Sequence, residues 1–139
     1  MTNLTLKAVN EYQSADNSSI IYADPHELIL RLMNGALERI AQARGAIKYE
    51  NKLHKGEYIS KAISIIGGLS ACLDHSQEGS LADNLADLYQ YMNITLTEAN
   101  INDDGSKLDE VSRLLTEIKS AWVQIPQANE RNGVREGLK

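Results

Sequence analysis

Residues able to do chemistry are few on this 139-residue chain: three histidines, a single cysteine and scattered carboxylates. His54-Lys55-Gly56 is the sharpest arrangement among them. An imidazole that accepts a phosphoryl group must stand exposed in mid-helix, with a lysine placed to steady the phosphate charge. Here the lysine is adjacent in sequence instead of one helical turn away, and the trio falls in a segment that reads as a turn. Glu50 and His54 stand four apart. A di-metal carboxylate centre in a helical bundle needs Glu-x-x-His pairs from two helices, and the chain has none. His26 in a first helical turn and His75 at a helix end read as solvent-facing or capping residues. Cys72 has no obvious cation to lower its pKa and reads as a small core hydrophobe. No set of residues combines a nucleophile, a base and oxyanion donors. The expectation is a protein that is not an enzyme, with no metal and no cofactor.

Composition narrows the partners. Nineteen acidic against fourteen basic side chains give a formal net charge of −5. That balance argues against non-specific nucleic-acid binding and against anionic membrane surfaces. The chain has no run of 18 apolar residues for a membrane span, and Met1 to Lys7 lacks the apolar stretch and cleavage site of a signal peptide. A single cysteine fits a reducing compartment, so the expected location is the cytosol. Pro25 and Pro126, the two prolines, flank about a hundred residues without a helix breaker of that kind.

The elements follow from caps and spacing. Asp24-Pro25-His26-Glu27 is a helix start: a capping acid, proline at the first helical position, and a glutamate where a capping box wants it. Behind it Ile29, Met33, Ala36, Ile40, Ala43 and Ile47 form a seam spaced 4, 3, 4, 3, 4. Gly35 and Gly45 within it predict close approach of another backbone. Asn51 to Gly56 reads as a polar turn. A second helix to about His75 turns Ile59, Ala62, Ile63, Ile66, Leu69 and Leu73 inward, with Gly67-Gly68 predicting a kink or a close crossing. The third runs from a Ser80 cap, with Leu81, Leu85, Leu88, Met92, Leu96 and Ala99 on its seam and Tyr89 and Tyr91 beside it. The fourth starts at Ser106 and carries Leu108, Val111, Leu115, Ile118, Trp122 and Ile125 up to Pro126. Four amphipathic helices with short connections predict an all-α antiparallel four-helix bundle over residues 24–126. Residues 1–23 read as a mobile leader with a short helix from about Thr5 to Gln13, and 127–139 as a polar tail expected to be disordered.

The same residues resemble a known family. Asp24-Pro25-His26-Glu27-Leu28-Ile29 with Leu32 and Asn34-Gly35-Ala36 carries the first part of the match. Lys61-Ala62, Ile65-Ile66, Leu69 and Leu73-Asp74 carry the second. Ala82, Asn84-Leu85, Leu88-Tyr89, Tyr91-Met92, Leu96 and Glu98-Ala99-Asn100 form the third. Asp109-Glu110-Val111, Leu114-Leu115 and Ala121-Trp122 form the fourth. In this order and spacing the chain resembles the flagellar secretion chaperone FliS family, and Tyr12-Gln13 is similar to that family's tyrosine-bearing leader. Met33-Asn34-Gly35 and Gly79-Ser80-Leu81 depart from the Tyr-Asp-Gly and Gly-Gly-Glu of many members.

The resemblance implies a cytosolic type III export chaperone. Such a protein binds the disordered C-terminal segment of flagellin, prevents premature polymerisation and aids delivery to the flagellar export gate protein. The reading from another class is a helical histidine phosphotransfer or signalling domain. For the chaperone, the expected flagellin groove comprises Leu88, Tyr89, Tyr91, Met92, Leu96, Leu115, Ile118 and Trp122. Seam residues such as Leu88 and Leu115 double as core candidates, whereas Tyr89, Tyr91 and Trp122 are expected to be partly exposed. Leu6, Val9 and Tyr12 of the leader are expected to shield the groove until flagellin displaces them.

Overall fold

A computed structural model describes residues 24–76 and 81–125 of the chain. Four helices fill these segments: α1 (Pro25–Lys48), α2 (Lys52–Ala71), α3 (Leu81–Asn102) and α4 (Gly105–Val123). The expected leader helix, its residues Leu6, Val9 and Tyr12, the Ser80 cap and the tail past Pro126 lie outside the described residues.

Helix α1 begins as its sequence predicts. The Asp24 side chain accepts the His26 amide at 2.9 Å, and Pro25 sits at the first helical position, where its missing N–H is no loss. Its end is built without a glycine. Glu50 takes a left-handed backbone (φ 57°), while the Asn51 and Glu50 amides return to the carbonyls of Ala46 and Ile47. This reciprocal pair closes the last turn of the helix. Asn51 then caps α2 by accepting the His54 amide. The polar segment from Asn51 to Gly56 is therefore mostly helix, correcting the expected turn. The chain reverses within three residues because Glu50 accepts a strained backbone that sequence patterns assign to Gly or Asn. Asp103 (φ 51°) does the same at the end of α3, and Asp104 caps α4 through the Ser106 amide.

Each helix packs against two neighbours, giving the ring order α1-α2-α3-α4. Contacts at the ends fix the directions. His26 at the start of α1 meets Trp122 at the end of α4. Arg44 near the end of α1 pairs with Asp109 in the first turns of α4 at 3.1 Å. Lys55 at the start of α2 reaches the Asn100 carbonyl at the end of α3. Adjacent helices are thus antiparallel. The core holds Leu32, Met33, Ala36, Ile40 and Ala43 of α1, and Ile59, Ala62, Ile65, Ile66 and Leu69 of α2. From α3 and α4 it takes Tyr89, Met92, Leu96, Ala99, Leu108, Val111 and Leu115.

The seam of α3 is rotated from the expected one at its start. Leu81 is 72% exposed, Leu85 and Leu88 are half-buried, and Tyr89 is 3% exposed. Leu85, Tyr89, Met92, Leu96 and Ala99 make an equally regular stripe, and the ring buries more apolar area than a leucine would. Helix α2 stops at Ala71 instead of about His75, and α4 at Val123, leaving Ile125 in non-helical chain ahead of Pro126. The glycine expectations are also corrected in part. A Cβ placed on Gly45 or Gly67 meets nothing within 4 Å, so neither marks a close crossing. Gly35 and Gly68 are buried.

Because Gly45 is helical and its outward space is empty, Gly45→Ala should stabilise the bundle by about 0.5–1 kcal/mol. Chemical denaturation with an unchanged slope is the measurement; no gain would mean that the unfolded chain's freedom at this position is not what limits it.

Candidate partner-binding surface

An open depression runs between α2 and α3, with a volume of about 900 Å³. Its α2 wall is low, because Ser64, Gly67, Ser70 and Ala71 recur at helical spacing with little side chain to fill the valley. The α3 wall carries Ala86, Tyr89, Asn93 and Ile94, and Ile63 adds to the apolar lining. Ile94 is 52% exposed and adds apolar surface to this wall. Asn93 donates to the Ile63 carbonyl at 3.4 Å, tying the two walls together. Asp87 and Glu98 stand in the same lining and make this side of the groove acidic.

The structure divides the expected groove residues. Met92, Leu96 and Leu115 have no exposed surface and are core side chains, so a partner on the closed bundle cannot touch them. Tyr89, expected to be partly exposed, is buried with its ring in the core cluster and an edge in the α2–α3 depression. Burial pushes its hydroxyl up to about 12, helped by the neighbouring Cys72 thiol. Tyr91 is 45% exposed as expected, and donates to Glu110 of α4 at 2.6 Å. Leu88 and Ile118 are half-buried against the core. Trp122 is half-buried too, but it faces α1 and not α3, stacked on His26 with ring centres 4.9 Å apart. The expected set is therefore distributed over the α3–α4 side, the core and the α1–α4 corner.

The sequence pattern put Ile63 on the inner seam and made Gly67 a kink or close crossing, and it left out Ser64 and Ile94. A signal existed: Ile94 lies off the α3 seam, and Gly67 interrupts a helix where nothing presses on it. The histidines also sort themselves. His26 is 6% exposed, with its Nε2 at 3.0 Å from the Trp122 carbonyl, which corrects the solvent-facing reading. His54 is exposed in the first turn of α2, its Nδ1 at 2.6 Å from the Asn51 side-chain amide. Lys55 beside it is buried and bound to the Asn100 carbonyl and Asp103. Its hydrogen bond is the main reason the Asp103 carboxyl falls below the usual carboxylate range. A lysine held in this way cannot steady a phosphate on His54. Cys72 is exposed just past the end of α2, which corrects the core reading, and partial desolvation pushes its thiol up, the opposite of an activated thiolate.

Residues 8–129 match the family model described as flagellar protein FliS. The chain belongs to the FliS family. It is 52% identical over 118 residues to the flagellar secretion chaperone FliSB of Pseudomonas aeruginosa, covering 84% of this chain and 94% of the relative. To the flagellar secretion chaperone FliS of Salmonella typhimurium it is 40% identical over 128 residues, 90% of this chain and 95% of that one. The Bacillus subtilis FliS is 34% identical over 123 residues, 88% and 91% of the two chains. Membership in FliS supports a flagellar export chaperone role, and no helix among the described residues is long and apolar enough to cross a membrane.

Tyr89 supplies a pH test of the packing. A phenol raised from its ordinary 10.0 to about 12 contributes stability that is complete below pH 10 and lost as pH climbs towards 12. Tyr89→Phe has no proton to lose there, so it should lose less stability than the parent between about pH 10 and about pH 12. Identical alkaline losses in the two proteins would exclude a buried, neutral Tyr89.

Proposed function

We propose that this FliS protein is a cytosolic type III export chaperone that binds the disordered C-terminal segment of flagellin. It blocks premature polymerisation and helps deliver the subunit to the flagellar export gate protein. The observation that carries this reading is the open α2–α3 valley. Its apolar lining is available on the closed bundle, while the core beneath it is already complete.

The physics suits a partner that folds as it binds. A flagellin tail segment that coils into an amphipathic helix would lay its apolar stripe on Ile63, Gly67, Ala71, Ala86 and Ile94. The bundle is fully packed without the ligand, so the ordering cost falls on the tail. Part of the gross interaction energy is spent on that ordering, which leaves the complex tight enough to shield the tail yet releasable at the gate. Leu88, Tyr91 and Ile118 add a second strip of partner contacts on the α3–α4 side, and Trp122 adds a separate one at the α1–α4 corner. Met92, Leu96 and Leu115 form the support beneath them. Leu6, Val9 and Tyr12 of the leader act as an internal cover that yields to flagellin. No step of this function requires catalysis.

Retention of full-length flagellin, and loss of retention when its C-terminal segment is removed, is the expected result of a pull-down; equal retention of both forms would refute the mode. Ile94→Asp should weaken tail binding by about tenfold or more, since it sets a carboxylate into apolar contact. Its thermal stability should stay within about 0.5 kcal/mol of the parent, because the side chain is on the surface. Tyr12→Ala should change tail binding or gate docking while the melting temperature is kept.

A further inference from the structure

The corner where α1 begins and α4 ends is fastened by polar groups. Trp122 Nε1 donates to the His26 carbonyl at 3.0 Å, and the His26 ring meets the Trp122 carbonyl through Nε2 at 3.0 Å. The two rings lie nearly parallel, 14° apart in plane. Since a carbonyl only accepts, Nε2 must carry the hydrogen, and Nδ1 is left as the lone-pair nitrogen of a neutral imidazole. That Nδ1 is buried and has no hydrogen-bond partner among the described residues. The chain on both sides, residues 1–23 and 126–139, continues from this corner.

We propose that the His26–Trp122 pair is a proton-sensitive latch: the neutral ring holds α4 against α1, and a proton on His26 Nδ1 opens the corner. A protonated ring has two N–H groups, and the second would point into buried space where no described residue offers it an acceptor. The charge itself would sit on a ring that is 6% exposed. Stacking of the cation on the indole works in the other direction, but that attraction is smaller than the cost of a buried charge with an unmade hydrogen bond.

Among the described residues, the charged groups around the corner do not supply the missing acceptor. On α1, the Asp24 carboxylate takes the His26 amide and Glu27 pairs with Arg31 at 3.4 Å. On α4, Lys119 lies one turn before Trp122 and is a cation, and Glu117 is exposed further along. The ends of α2 and α3 on this side bring Asp74, His75 and Asp83, of which His75 pairs with Asp83 at 2.9 Å and Asp74 accepts from Ser76. Opening would release the last turn of α4 and uncover the apolar faces of Trp122 and its neighbour Ile118.

Trp122 is the only tryptophan in the chain, so intrinsic fluorescence reads the latch directly. The whole protein is titrated from about pH 8 to about pH 5, the span in which an imidazole changes charge. The expected result is a red shift of the emission with a single-proton profile. Amide exchange in the first turn of α1 and the last of α4 should quicken by about tenfold once corrected for intrinsic rates. His26→Gln keeps a donor for the Trp122 carbonyl and cannot titrate, and its emission should not move. A flat titration of the parent, the same shift in His26→Gln, or slower exchange at low pH would each overturn the latch. Ring nitrogen chemical shifts of the unmutated protein test the starting state without any variant; a hydrogen on Nδ1 at about pH 8 would also overturn it.

Discussion

The rest of this structure depends on how four narrow apolar stripes close around one axis. Each helix has to face two neighbours at once, which asks for an apolar arc wider than a simple two-helix seam. The chain contains no phenylalanine. It meets the demand with aliphatic side chains and with alanines at Ala36, Ala43, Ala62 and Ala99 that are completely enclosed. Alanine in the layers lets backbones come close, and leucine, isoleucine and methionine fill what remains. Interiors of this kind tolerate little change of volume. The binding surface therefore has to be built outside the core.

That separation explains the character of the candidate surface. Where α2 faces the valley it offers serine, glycine and alanine, so two helices already packed through Ile66 and Leu69 still leave a depression above their contact. Ile94 contributes nothing to the core and half of it meets solvent. In a FliS protein such a surface suits a segment that brings its own helical stripe. In the mode we propose, the bundle stays the same and the partner does the folding.

Polar groups set the ends of the bundle. Lys55 is buried at the start of α2, where it joins α3 through the Asn100 carbonyl and Asp103. At the other end His26 and Trp122 join α1 to α4. A buried lysine or histidine without partners would be costly. These contacts thus fix the order and direction of the helices at places where the apolar seams thin out.

The number, approximate span and inner faces of the helices were legible because a period of 3.6 residues and a few caps are local properties: Asp24-Pro25 marks a start wherever it folds. The seams of α1, α2 and α4 could be read in this way. Local rules failed at Glu50, whose left-handed backbone is stabilised by the turn around it and not by its own preference, so the start of α2 looked like a loop. They failed again at Tyr89 and Leu88, because several stripes of α3 are equally regular, and only the shape of the neighbouring helices decides which one turns inward. Family resemblance came from residues in order along the chain, which the sequence alone supplies. Read alone, the order of residues specifies an all-α bundle and its apolar stripes, which follow from spacing, and a kinship with FliS, which follows from matching residue identities along the chain. Tertiary structure alone decided that Tyr89 is core, that Ile94 and Gly67 share an open valley, and that His26 meets Trp122 across 96 residues. Those outcomes depend on which surfaces meet, and a one-dimensional pattern does not contain that information.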